Sequence, residues 1–211
     1  MTGRFARFAL ILGLLAAPSF AQIDVAAWAT WMEPQGDRLS SDPADPTAIS
    51  EIAWDAETGF GFSANFHMGR ALSVELAAYA VGADAALVAP GGPQFDLGAL
   101  DLTPVTATLQ WHFARGARID PYVGVGGAWI LAEDLSSADL DALGIGDVEV
   151  DDEFTWLINA GLDFSVTSSL GIVLDGKYFP FEPATRAAGD PIDTDLAVDP
   201  LLLSVGLRWR F

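Results

Sequence analysis

The chain has 211 residues, a net charge of −19, no cysteine and 51% apolar residues. That balance excludes a disulfide framework and a thiolate metal site. It argues against nucleic acid and against docking on anionic headgroups, both of which need a basic footprint.

At the start, Arg4 and Arg7 form a basic region ahead of the apolar run Phe8–Ala17. That run is too short for a helix that spans a bilayer, which takes roughly 20 residues. Ser19-Phe20-Ala21 then sets small residues at a cleavage site, so Met1–Ala21 reads as a cleaved secretory signal. The expected mature domain is Gln22–Phe211, a single domain by length. Removing Arg4 and Arg7 takes its charge from −19 to −21. No later segment is an uninterrupted apolar run of the roughly 18 residues expected of a membrane helix.

Eight segments alternate with the period of two that strand side chains follow. Ile23–Trp31 sets Ile23, Val25, Ala27, Ala29 and Trp31 on one face and Asp24, Ala26, Trp28 and Thr30 on the other. Gly59–His67 does the same with Phe60, Phe62 and Phe66 against Ser63, Asn65 and His67. Leu72–Val81 follows a tight turn at Gly69, and Leu102–Phe113 sets Leu109, Trp111 and Phe113 against Thr106, Thr108, Gln110 and His112. Pro121–Leu131 is less regular. Phe154–Ser165 is the clearest, with Phe154, Trp156, Ile158, Leu162 and Phe164 on one side and Asn159, Gly161 and Asp163 on the other. Leu170–Phe181 follows a Thr167-Ser168-Ser169 turn. The last strand, Leu201–Phe211, ends the chain on an aromatic and sets Arg208 and Arg210 on its second face.

The connections alternate between short, at Gly69, Gly116 and Ser168, and long, at Met32–Glu57, Gly82–Asp101, Ala132–Glu153 and Glu182–Asp199. Short periplasmic turns and long outer loops are the habit of outer-membrane barrels. Within the third long loop, Ser136–Leu143 followed by Gly144 reads as a short capped helix. A soluble two-sheet sandwich would alternate too, but with a polar outward face. Here the large apolar residues occupy one face and the other is mixed. The expected fold is therefore all-β: an eight-stranded antiparallel transmembrane β-barrel in the bacterial outer membrane.

Sorting the inward residues by height gives a polar floor and an apolar upper interior. The floor holds Asn65, Glu75, Gln110, Asp163, Asp175 and Arg208, with His67, Ser73, His112, Ser165 and Arg210. Buried charges need partners, so the floor reads as a plug in a bore that side chains can fill. Above it lie Trp28, Tyr79, Leu102, Pro104, Ile130, Leu157, Phe179 and Leu202, the expected ligand path. The same residues could instead pack a closed core. Pro104 lacks an N–H for the sheet ladder, so it marks either a weakened wall or simply a strand start.

Several segments carry a resemblance: Leu102–Phe113; Asp120-Pro121-Tyr122-Val123-Gly124-Val125-Gly126; Asn159-Ala160-Gly161-Leu162-Asp163; and Asp199-Pro200 with Ser204–Phe211. Together they resemble the outer-membrane protein W (OmpW) family over the C-terminal half, with the first three strands similar in layout. The resemblance implies a small eight-stranded outer-membrane barrel associated with uptake of small hydrophobic molecules, with a hydrophobic interior and a side exit. The acidic loops and Phe179-Pro180-Phe181 depart from that pattern.

No catalytic residue, metal site or cofactor is expected. The histidines, His67 and His112, lie at the floor, away from outer-leaflet lipid. Asp147–Glu153 offers hard oxygens to a divalent cation but lacks the glycine and spacing of an EF-hand loop, so it reads first as a solvated acidic loop; Gly124-Val125-Gly126-Gly127 opens no helix and is no nucleotide loop. Expected partners are outer-membrane lipid and lipopolysaccharide, small hydrophobic molecules, and the outer-membrane assembly machinery through Phe211. Two alternatives stand beside transport: a structural or surface-interaction barrel with acidic loops, and a lipid-modifying barrel enzyme.

Overall fold

The computed structural model describes residues 22–34, 51–88, 94–142, 144, 146–187, 190–191 and 199–211. The expected signal segment Met1–Ala21 lies outside the described residues. The strands are β1 (Gln22–Glu33), β2 (Glu51–Ala56), β3 (Thr58–Met68), β4 (Leu72–Val88), β5 (Gln94–His112) and β6 (Ile119–Ala132). After the helix α1 (Ala138–Ala142) come β7 (Val148–Val150), β8 (Glu153–Ser165), β9 (Leu170–Tyr178), β10 (Thr185–Ala187), β11 (Asp190–Pro191) and β12 (Leu201–Arg210). Hydrogen bonding runs β4-β3-β1-β12-β9-β8-β6-β5 and returns to β4, which closes an antiparallel barrel of eight strands. The first and last strands meet directly, with Asp24 opposite Arg210 and Glu33 opposite Leu201.

Burial follows the alternation along each barrel strand. On β1 the exposed residues are Ile23, Val25, Ala27, Ala29 and Trp31, and Asp24, Ala26, Trp28 and Thr30 are buried. Large apolar side chains on the outside are Phe154 at 73% exposure, Phe62 at 63% and Val125 at 58%. Only hydrocarbon can cover such a surface without cost, since water penalises every apolar group left in it. Aromatic residues gather at both ends of this band. Trp111, Phe113, Trp209 and Phe211 ring the turn side, and Trp31, Trp129 and Phe154 ring the loop side. The Phe211 amide bonds Ile23, at the lower end of β1. From Ile23 to Trp31 the strand climbs about 27 Å, or about 21 Å across the membrane at a tilt of about 40°.

Inward glycines decide where the bulky lumen residues fit. Tyr79 lies opposite Gly61, Trp28 opposite Gly206, Tyr122 opposite Gly161 and Arg208 opposite Gly171. At each glycine the position of a Cβ is already taken by the opposite side chain: the Tyr79 ring, the Trp28 ring, the Tyr122 phenol and the Arg208 guanidinium. The glycines so numerous on the inner face are thus the receiving half of a size match.

The extracellular half departs from expectation. Gly82–Asp101, expected as a loop, is largely strand: β4 continues to Val88 and β5 begins at Gln94, paired from Gly82↔Asp101 to Val88↔Gln94 with an irregularity at Ala85/Ala86. The turn-like composition of Gly82, Asp84 and Gly98 hides this hairpin, but its inner face is buried Ala83, Ala85, Leu97 and Leu100. β2, within the expected first loop, pairs with β4 from Glu51↔Val88 to Ala56↔Ala83. The seventh barrel strand ends at Tyr178 rather than Phe181, because Pro180 cannot donate to a ladder. The expected capped helix is α1: Ser137 Oγ accepts the Leu140 amide at 3.1 Å, and Gly144 takes the left-handed conformation at φ 74°. β7, β10 and β11 make a second, three-stranded sheet.

Candidate functional site

The apolar upper interior is built by neighbouring strands aiming their inward positions at one axis. Leu102 and Tyr79 come from β5 and β4, Ile130 from β6, Leu157 from β8 and Leu202 from β12, while Phe179 follows β9. Each is at most 2% exposed. Met32, Leu100 and Phe181, which were not among the expected path residues, are fully buried with them. Leu135 and Leu140 from the third long loop join the same cluster. The interior above the floor is therefore filled with packed apolar side chains.

Pro104 is buried on β5 and lies opposite Ile130 of β6. On its other side the pairing of β4 with β5 runs up to Ala78↔Val105 and resumes at Val81↔Leu102. Tyr79 and Ala80 thus face Thr103 and Pro104 with no ladder pairing among the described residues. The missing N–H of proline accounts for the interruption.

Below, the polar residues form two linked tiers. In the upper one, Lys177 Nζ lies 2.5 Å from Asp175 Oδ1 and 2.9 Å from Glu75 Oε1. Asp175 Oδ2 accepts from the Tyr122 hydroxyl at 2.7 Å and from Asn159 Nδ2 at 2.9 Å. The ammonium also sits 5.6 Å from the Tyr79 ring centre and 5.9 Å from that of Trp28, within cation–π range. Trp28 and Tyr79, expected with the apolar path, therefore stand at its boundary with the charged tier. Gln110 Oε1 accepts from Asn65 Nδ2 at 2.7 Å and from Ser73 Oγ at 3.3 Å.

The lower tier is a set of guanidinium–carboxylate forks. Arg208 grips Asp163 with Nε at 2.8 Å and Nη2 at 2.9 Å, and its Nη2 also donates to Ser165 Oγ. Arg210 grips Asp24, with Nη2 to Oδ2 at 2.9 Å and Nε to Oδ1 at 3.1 Å. His67 Nε2 meets the same Asp24 at 3.0 Å. His112 Nδ1 lies 2.9 Å from Asp120 Oδ2, and its Nε2 lies 2.9 Å from Ser73 Oγ. Paired, charge-assisted contacts of this kind are what allow ions to stay in a dry bore. A cavity of about 30 Å³ remains between Asp24, Ser63, Asn65, His67, Glu75 and Arg208. That is room for about one water.

The structure brings the expected floor residues Asn65, Glu75, Gln110, Asp163, Asp175 and Arg208 into one cluster, joined where the Gln110 amide interacts with Glu75 and where the His112 ring lies against those of His67 and Tyr122. Sequence reasoning missed five of its members: Lys177, Asp24, Asp120, Tyr122 and Asn159. Their signal was present in the alternation, since each falls on the inward parity of its strand; a search for a base to match Glu75 and Asp175 would have found Lys177.

Outside the bilayer, the acidic loop residues serve the cap. Asp151 receives two bonds from Arg186, both 2.7 Å, which hold that guanidinium's pKa above its ordinary value. Asp152 Oδ1 accepts from the Ala132 amide, and Glu153 Oε2 from the Glu182 amide. On the exposed hairpin, the Asp101 carboxyl is pushed up by partial burial and by the charges of Glu133 and Asp84.

The barrel has close counterparts among solved structures. The crystal structure of outer membrane protein OprG from Pseudomonas aeruginosa superposes with a TM-score of 0.74 at 17% identity, covering 90% of this chain and 95% of that one. The solid-state NMR structure of outer membrane protein AlkL in lipid bilayers gives 0.65 at 20% identity, covering 92% and 93%. In sequence, outer membrane protein AlkL of Ectopseudomonas oleovorans is 30% identical over 114 residues, 53% of this chain and 47% of its own length. The chain spans about half the length of the curated relatives it matches. The model of the OmpW family matches residues 23–211, so this chain belongs to the OmpW family of bacterial outer-membrane β-barrels.

Proposed function

We propose that the barrel takes small apolar molecules in from its outer side, passes them through the packed apolar interior, and releases them sideways into the membrane at Pro104, without catalysis. The observation that carries this reading is the interrupted β4–β5 ladder, which lies at the height of that interior. Leu102, Ile130 and Leu157 offer no polar group, so contacts between these side chains can be exchanged for contacts with a ligand at little cost. The paired floor below closes the bore to water and ions, which leaves the wall as the way out.

The alternative of lipid-modifying chemistry has little to support it: both imidazoles are held by floor partners, Asp24 and Asp120, at the end opposite the long loops. Phe211, 79% exposed at the end of β12, suits recognition by assembly machinery. The acidic cap suits lipopolysaccharide only through bridging cations.

Cross-linking tests the exit. Ala80→Cys with Thr103→Cys places a disulfide across the unpaired segment. Uptake of radiolabelled n-dodecane by cells carrying the oxidised double variant should fall to that of cells lacking the protein and return on reduction. Uptake that continues through the oxidised barrel would show that molecules leave elsewhere.

A further inference from the structure

The lumen keeps unmatched polar atoms at several heights, among them His67 Nδ1 and Arg208 Nη1 in the floor and two hydroxyls higher in the wall. The hydroxyls of Thr106 and Thr108 are both 1% exposed and have no hydrogen-bond partner among the described residues. Asn159 Oδ1 is equally unmatched, whereas the Tyr79 hydroxyl interacts with Lys177 and the Gln110 amide with Glu75. Buried hydroxyls without partners are rare in folded proteins and costly to keep.

Register places these groups together. Thr106 lies between Ala77 of β4 and Ala128 of β6, and Thr108 between Glu75 and Gly126. The hydroxyls therefore project from a stretch of wall whose flanking residues are mostly small. Above them lie Leu102 and Ile130, and Glu75 of the Lys177 tier stands opposite Thr108. Tyr79 itself borders the ladder interruption at Pro104. An apolar path would thus end, beside its exit, on a ledge of free hydrogen-bonding atoms.

The chemistry of the ledge selects a head group. Two hydroxyls can each donate and accept, and Asn159 adds an acceptor. All three groups are neutral. A carboxylate head would meet Glu75 and Asp175, which already outnumber Lys177, and an ammonium head would find Lys177 in its place. We infer that this ledge binds the neutral polar end of an amphiphile, an alcohol or carbonyl oxygen, while its alkyl tail lies among Leu102, Ile130 and Leu157. This rests on the transport reading above and adds the substrate class: oxygenated alkyl compounds are preferred over plain hydrocarbons.

The test compares two probes of equal length, radiolabelled 1-dodecanol and n-dodecane, in cells carrying the full chain. Thr106→Val with Thr108→Val keeps side-chain shape and removes both hydroxyls. Folding of each variant is checked by the heat-dependent gel shift of the intact barrel, and Thr106→Val alone serves if the double variant fails to fold. The ratio of dodecanol to dodecane uptake should drop by roughly three- to ten-fold for each hydrogen bond lost, each variant being read against its own dodecane uptake. A ratio that stays constant while dodecane still enters would overturn the ledge and assign the hydroxyls to bound water. If neither probe enters faster than in cells lacking the protein, the transport reading itself fails, and the ledge with it.

Discussion

Lys177 and Glu75 approach to 2.9 Å across the lumen from β9 and β4, strands that are not neighbours in the barrel wall. Their contact ties opposite parts of the sheet through the bore. Lys177→Met would leave Glu75 and Asp175 buried without a cation, and should cost about 3–5 kcal/mol. Urea unfolding in lipid vesicles measures this. Adding Glu75→Gln and Asp175→Asn should restore most of the loss, because the penalty lies in the unpaired charges rather than in the missing contact.

A floor made of Arg208–Asp163 and Arg210–Asp24 forks should not conduct. Planar bilayers holding the purified protein should show little or no steady ion current. Arg208→Ala combined with Tyr122→Ala removes a fork and a ring from the bore and should bring measurable current. Large steady currents from the unaltered protein would show that the floor leaves an open channel.

Val125 stands on the outer face of β6, between Leu109 and Ile158, midway between the two aromatic rings. Val125→Arg should destabilise the inserted barrel by about 2–4 kcal/mol, the cost of a cation at the bilayer midplane. Reversible folding into vesicles measures it. An Arg at Ala117, in the short turn, should cost little.

Asp101 gives the cap a pH dependence of defined sign. Its folded-state pKa lies above the ordinary carboxyl value because of partial burial and the nearby charges of Glu133 and Asp84. The folded hairpin therefore binds that proton more readily than the unfolded chain does. Its contribution to stability is least favourable above the folded pKa and improves as pH falls through it. Asp101→Asn should protect the hairpin from protease at neutral pH by no more than about 0.5 kcal/mol, since the site is exposed and screened. The gain should vanish in acid.

The barrel was legible wherever one face meets hydrocarbon and the other a crowded bore. Trp156 and Leu162 against Asn159 and Asp163 already separate the two sides, and each inward parity read that way is a buried or half-buried parity in the structure. Legibility fails above the membrane, where no lipid imposes the pattern. The Val81–Val88 and Gln94–Asp101 extension buries alanines against its own cap, and alanine alternating with glycine and aspartate reads as a loop. In the lumen, polarity was readable but pairing was not. Lys177 could be assigned to the inside from parity alone; that it meets Glu75 depends on barrel curvature, which no local pattern records.

The four glycine and large-residue pairs, Gly61–Tyr79, Gly206–Trp28, Gly161–Tyr122 and Gly171–Arg208, carry an evolutionary consequence. Neither member can drift by itself, because enlarging one creates a collision and trimming the other opens a void in the middle of the tube. Related sequences should therefore change these positions two at a time, and bore diameter would be inherited as a set of matched couples rather than residue by residue.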